Sequence, residues 1–140
     1  MTLVLDSSVT LSWCFDDERT AATTAILQRI GETGAHAPQH WPLEILNGLM
    51  MAERRGRIDA TVRQRLADFL RDLPVAIDPD TTAQVWDAAR RLAERFRLTV
   101  YDAVYLELAR RKDLPLATLD QELRKAGTAL GVPLLGISAT

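Results

Sequence analysis

Four acids in this chain stand where a sheet-and-helix protein displays its chemistry. Asp6 follows the short apolar run Leu3-Val4-Leu5. Glu44 sits just inside a helical segment opened by Pro42, Asp102 three residues after Thr99, and Asp120 directly after the run Leu116-Ala117-Thr118. Carboxylates brought close together repel, and they relieve the repulsion by keeping protons or by recruiting cations. Each acid also has a plainer role open to it. Asp6 and Asp120 suit helix N-caps, and Glu44 and Asp102 suit the positive end of a helix dipole. The segment from Thr99 to Asp102 has the shape of a capping box, although Glu or Gln is its usual second partner.

The elements that must position these acids follow from periodicity. Residues 2–5 read as a short strand buried on both faces, as in the centre of a parallel sheet. Ligands of open α/β sheets bind just beyond the carboxyl ends of strands, which is where Asp6 falls. A helix is expected from near Ser8. The acids Asp16, Asp17 and Glu18, with the apolar-periodic run to Ile30, predict a second helix with an acidic start, ended by Gly31 and Gly34. Residues 35–38 form a weak strand, and Pro42 fits the first turn of a helix reaching about Arg54, where Gly56 stops it. Asp59 caps a further helix whose apolar stripe is Val62, Leu66, Phe69 and Leu70. Residues 74–77 read as a third strand. Asp78-Pro79 opens a helix with Val85, Ala88, Ala89, Leu92 and Phe96 inward. Thr99 caps the helix from Val100 to Arg111, residues 114–118 form a fourth strand, Asp120 opens a helix to about Leu130, and residues 132–137 form a fifth strand with Gly136 inside it. Strands alternating with helices predict an α/β fold with a mostly parallel sheet. The helix carrying Asp102 precedes its strand, so the strand-end rule alone does not place Asp102 with the others.

Composition narrows the class. A chain of 140 residues with 47% hydrophobic and 26% charged residues fits one globular domain. No apolar run approaches the roughly 18 residues of a membrane span. There is no basic segment ahead of an apolar one at the N-terminus, so a cytoplasmic location is the default expectation. One cysteine, Cys14, excludes an internal disulfide and a Cys-rich zinc site. Net charge is -2, which gives no bulk attraction for nucleic acid. The 17 basic residues are nonetheless arginines except Lys112 and Lys125, clustered at Arg54-Arg55-Gly56-Arg57, Arg90-Arg91, Arg95-Phe96-Arg97 and Arg110-Arg111-Lys112. Arginine suits bidentate phosphate contact, and cations at helix ends also complement the dipole.

Four strings carry a resemblance. Val4-Leu5-Asp6-Ser7-Ser8-Val9, Trp41-Pro42-Leu43-Glu44-Ile45-Leu46-Asn47, Tyr101-Asp102-Ala103-Val104-Tyr105-Leu106-Glu107-Leu108-Ala109 and Ala117-Thr118-Leu119-Asp120 resemble, in order and spacing, the signature segments of PIN domains, in particular VapC-type toxins of bacterial type II toxin–antitoxin pairs. The resemblance covers essentially the whole chain, 1–140. It implies a five-stranded parallel sheet in the order 3-2-1-4-5, with the first and fourth strands adjacent at the topological switch point. It implies that Asp6, Glu44, Asp102 and Asp120 are the catalytic, metal-holding acids of an endoribonuclease, Asp6 central and Asp120 most distal. An oxygen donor set without His or Cys fits Mg²⁺ or Mn²⁺. Ser7, Asn47 and Thr118 are expected as supporting polar neighbours. His36 and His40 are poor candidates for the chemistry.

Partners follow from the same resemblance: an RNA substrate, a cognate antitoxin, a homodimer and no membrane. Trp13, Phe15, Trp41 and Met51 look surplus to the core and available for such surfaces. A phospho-accepting receiver domain would need an acid pair after the first strand and a lysine near the last. A haloacid-dehalogenase-like phosphatase would need an Asp where Ser8 stands. A non-catalytic PIN-like binding module is the alternative that remains, and the intact quartet argues against it.

Overall fold

The computed structural model describes residues 2–137, and its first strand explains the rest of the architecture. Leu3, Val4 and Leu5 have no exposed surface. A strand that apolar must be covered on both faces, and parallel pairing with crossover helices achieves this. Strand β1 (Val4–Leu5) is flanked by β2 (Ala35–Ala37) and β4 (Leu116–Ala117); β3 (Val75–Ile77) and β5 (Leu134–Leu135) lie at the edges. All pairings are parallel, in the order β3-β2-β1-β4-β5. Val4 is in register with His36 on one side and Leu116 on the other. The winding therefore reverses between β1 and β4, as expected.

The helices are α1 (Ser7–Ser12), α2 (Ala21–Thr33), α3 (Trp41–Arg54), α4 (Ala60–Arg71), α5 (Thr81–Gln84), α6 (Arg90–Phe96), α7 (Val100–Lys112) and α8 (Gln121–Ala129), with a π turn at Val85–Ala89 joining α5 to α6. Helix α7 is central: its residues from Ala103 to Ala109 are all buried. Residues 113–115 alone join α7 to β4. A helix returned so abruptly to its strand runs against the strand direction. Its first turn, with Asp102, thus lies at the carboxyl edge of the sheet.

Several expectations need correction. The strands are shorter than the apolar runs, most clearly β5, where Gly136 adopts φ 123 and ends the pairing. A Cβ at Gly136 would lie 3.1 Å from the Thr118 carbonyl, so the close approach to β4 needs glycine. Residues 16–18 are not helical. Arg57 holds Asp17 at 3.0 Å and Glu18 at 3.1 Å and lies over the Phe15 ring, and α2 begins only after the reciprocal Thr20–Thr23 capping box. Gly31 lies inside α2, which ends at Gly34 with φ 70. The stripe of α4 is only partly inward: Leu70 is buried and Leu66 packs against the core, while Phe69 is exposed. Trp13, Phe15 and Trp41 are core residues, not spare surface. Their burial is possible because Trp13 Nε1 donates to the Thr23 carbonyl at 2.7 Å and Trp41 Nε1 to Thr10 Oγ1 at 3.0 Å.

Asp78 does not cap the next helix, which starts three residues later at Thr81. Its buried carboxylate accepts from Thr81 Oγ1 and from both Arg111 Nη atoms, at 3.2 and 2.6 Å. Arg111 also grips Glu107 through Nε and Nη2. Burial pushes the Asp78 carboxyl up, but the Arg111 bonds outweigh it and hold it below its ordinary value. The network ties the end of β3 to the last turn of α7. Replacing Arg111 by Leu leaves two buried carboxylates uncompensated, and urea unfolding at pH 7 should show a loss of about 3–5 kcal/mol. The pair's contribution is present at neutral pH and fades as pH falls through the lowered Asp78 pKa, so the deficit should shrink in acid. A loss under about 1 kcal/mol at pH 7 would instead mark Arg111 as a surface ion-pair residue.

Candidate active site

Asp6 leaves β1 with an extended backbone and caps α1, taking Val9 N on Oδ1 at 3.1 Å. Ser8 Oγ donates to the same oxygen at 2.7 Å, and Thr118 Oγ1 donates to Oδ2. The Thr118 bond crosses the switch point from the end of β4 to the end of β1. Thr118 Oγ1 in turn accepts from Asp120 N at 3.1 Å, and Ser8 Oγ accepts from Leu119 N at 2.9 Å. Two hydroxyls thus hold Asp6 and the loop that delivers Asp120. Arg124 closes the far side of this loop, donating to the carbonyls of Thr118 and Leu135 at 2.7 and 3.0 Å. Asp120 caps α8 through Leu123 N at 2.8 Å. The capping role and the site role coincide in Asp6 and Asp120, because a strand end that starts a helix is also the carboxyl edge.

Glu44 enters from the first turn of α3, and its Oε1 accepts the Tyr105 hydroxyl at 2.6 Å with His40 Nε2 at 3.3 Å. His40 Nε2 also lies 2.9 Å from the Tyr101 carbonyl, and its ring is tilted against Tyr101 and Tyr105. Asp102 enters from the first turn of α7, where its N–H bonds Thr99 Oγ1 at 3.1 Å. Its carboxylate also bonds Thr99, which pulls against the rise in its pKa.

Electrostatics connect the four acids. Burial pushes Asp6 up to about 6, its three hydrogen bonds pull back, and the Asp102 charge adds to the rise. Asp102 is raised by burial, then by the charges of Asp120 and Glu44. Asp102 is therefore the hub at which the other three charges meet, whereas Asp6, expected as the central ligand, is the most enclosed, with 4% of its surface exposed. Burial and Glu44 push the Tyr105 phenol well above its ordinary range, so it remains a donor. Among the described residues no three His, Cys, Asp or Glu side chains close up into a ready ion cage. The donor chemistry nonetheless fits a hard divalent cation: all four acids offer oxygen, and their repulsion is of the kind a cation relieves.

The supporting residues divide. Thr118 bonds Asp6 directly. Ser8, not Ser7, is the serine on Asp6, while Ser7 lies beside the Tyr105 phenol. Asn47 is exposed and makes no side-chain hydrogen bond among the described residues. Tyr105 was not singled out in the sequence, and His40 was set aside there. Their signal was helical spacing, since Tyr105 lies three residues after Asp102 and His40 four before Glu44.

The raised acids give a pH signature. A carboxyl whose folded pKa exceeds its unfolded value stabilises fully below the unfolded pKa and loses that stability as pH rises through the folded one. For Asp6 the window runs from about 4 to about 6 and is worth about 3 kcal/mol. Thermal melts of metal-free protein should show Asp6→Asn gaining on the wild type as pH rises across this window. A constant difference between the two would remove the raised pKa from the account.

Comparison with known proteins agrees with this geometry. Ribonuclease VapC3 of Mycobacterium tuberculosis (strain CDC 1551 / Oshkosh) is 32% identical over 103 residues, covering 74% of this chain and 72% of the relative. Ribonuclease VapC3 of Pyrobaculum aerophilum is 29% identical over 133 residues, 95% of this chain and 100% of the relative. Among solved structures, PAE2754 from Pyrobaculum aerophilum superposes with a TM-score of 0.67 at 23% identity, over 90% of this chain and 84% of that one. FitAcB from Neisseria gonorrhoeae gives 0.65 at 16% identity, over 96% of both. The profile of the PIN domain matches residues 3–129, and with four acids gathered at the carboxyl edge of a 3-2-1-4-5 sheet, the chain belongs to the PIN domain family.

Proposed function

We propose that this chain is a divalent-metal-dependent endoribonuclease, the toxin of a toxin–antitoxin pair, with residues 1–140 forming one catalytic unit. The observation that carries the reading is the delivery of four acids, from the end of β1, the first turns of α3 and α7 and the start of α8, to positions near enough for their charges to act on one another. Relatives named ribonuclease support the substrate class. The resemblance of the signature segments to VapC-type toxins supports the antitoxin, the homodimer and the cytoplasmic setting. No helix among the described residues is long and apolar enough to cross a membrane.

In this reading Asp6, Glu44, Asp102 and Asp120 hold Mg²⁺ or Mn²⁺. The ion supplies Lewis-acid charge for the phosphate and makes a water molecule more acidic. The chain does the rest. Thr118 and Ser8 fix the Asp6 carboxylate. Asp102, half-buried at the hub, keeps its proton longer than an ordinary aspartate and gives it up when positive charge arrives. A non-catalytic binding module gains no support from four retained acids, two of which would serve as well as Asn if capping were their only role.

Purified protein freed of its antitoxin should cut a susceptible RNA in Mg²⁺ or Mn²⁺, leaving a 5′-phosphate and a 3′-hydroxyl, and EDTA should stop it. Undiminished cleavage in EDTA would sink the metal mechanism. Asp102→Asn should lower kcat by about 100-fold or more, beyond the 10–100-fold typical of losing an orienting partner. Its melting temperature without metal should be unchanged or higher, since the substitution relieves repulsion. A large drop in melting temperature would favour a purely structural role for Asp102.

A further inference from the structure

Glu44 differs from Asp6 and Asp120 in how it is held. Those two are helix caps fixed by backbone amides. Glu44 is a longer side chain, partly exposed; the Tyr105 hydroxyl donates to its Oε1, and His40 Nε2, which bonds the Tyr101 carbonyl, lies 3.3 Å from the same atom. No described residue donates to Oε2. The donor is the hydroxyl of Tyr105, a side chain 1% exposed. At 2.6 Å to an acceptor that carries charge, this is a charge-assisted bond and restrains the glutamate tightly.

Tyr105 stands one turn after Asp102 on α7. One rigid helix therefore carries one acid of the site and the group that grips another. A second link runs beside it, from His40, on the approach to α3, to the carbonyl of Tyr101. The two bonds clamp the first turn of α3 to the first turns of α7. The separation between Glu44 and Asp102 is then set by helix geometry and not by the flexible torsions of the glutamate.

We propose that Tyr105, seconded by His40, is a positioning residue for Glu44: by occupying Oε1 it leaves Oε2 as the one oxygen open to a divalent ion. This rests on the metal-dependent reading above. A tyrosine serving the core alone would need only some acceptor for its hydroxyl, and phenylalanine would pack in its place. The positioning role demands the hydroxyl itself.

The test uses Tyr105→Phe, which keeps the buried ring. Mn²⁺ is titrated by calorimetry into the RNA-free protein, and the Mg²⁺ concentration for half-maximal RNA cleavage is measured in parallel. The expected result is about 10-fold weaker Mn²⁺ binding and a similar rise in the Mg²⁺ requirement, in line with the loss of other orienting partners. In a Glu44→Gln background, Tyr105→Phe should add nothing. Equal Mn²⁺ affinity in wild type and Tyr105→Phe overturns the inference and leaves the metal reading intact, as does a loss of the same size with Glu44 already replaced. A wild-type chain that takes up no Mn²⁺ overturns the metal reading and this inference with it. If Tyr105→Phe does not fold, His40→Ala at the rim reads the same oxygen. Weaker Mn²⁺ binding in that variant supports the clamp, and unchanged binding counts against it.

Discussion

Four carboxylates have to be kept near one another against their own repulsion, and much of this structure is the means of doing so. Taken singly, none of the acids would hold its place, because side-chain freedom and solvation both favour dispersal. The fold delivers each from a different element: the end of β1, the first turns of α3 and α7, and the end of β4. Parallel winding brings these four points to one edge. The two acids at strand ends are fixed by amides that a helix start leaves unpaired, so the helix termini gain a partner and the site gains rigidity. Of the two on helices, Glu44 is held by Tyr105 from another element and so depends more on tertiary packing, while Asp102, among the described residues, is bonded only to Thr99 at the start of its own helix.

Seen this way, the core and the site are one problem. Helix α7 buries seven consecutive residues, a degree of enclosure that no surface helix needs. Its last turn is secured by the Arg111 network with Asp78 and Glu107, and its first turns by Tyr101 and Tyr105. A helix anchored at both ends can carry an acid whose charge is opposed by its neighbours. Burial first, and then the neighbouring charges, leave Asp6 and Asp102 with raised pKa values, the electrostatic mark of a site that is not at rest as an ordinary surface.

The parallel sheet was legible in the alternation of apolar strand runs and helices, while its order and the grouping of the four acids came from the resemblance of short strings to PIN-domain segments, such as the apolar run ending in Asp6. The placement of Asp102 was not legible, since it depends on α7 doubling back on β4 through three residues. Residues 16–18 misled because acids favour helix starts in general, while here Arg57, some 40 positions away, claims two of them. Trp13 and Trp41 misled because indole burial depends on finding an acceptor, and the acceptors at Thr23 and Thr10 lie on other elements. Tyr105 was overlooked for the same reason: its partner is 61 residues distant. What failed to show in the chain was in each case a long-range pairing of polar groups.

The bond from Thr118 to Asp6 spans 112 positions, joining the first strand made to nearly the last. Its consequence belongs to protein synthesis. A growing chain contains Asp6 for the 112 residues that pass before Thr118 is added, with Asp120 two residues later. Until then Asp6 lacks its clamp, Asp102 lacks a neighbouring charge, and the central sheet is missing one of its two inner pairings. An edge built on this bond is assembled only once residues 118–120 have been added. The order of the strands thus makes the central pairing of the sheet and the assembly of its carboxyl edge a single late event.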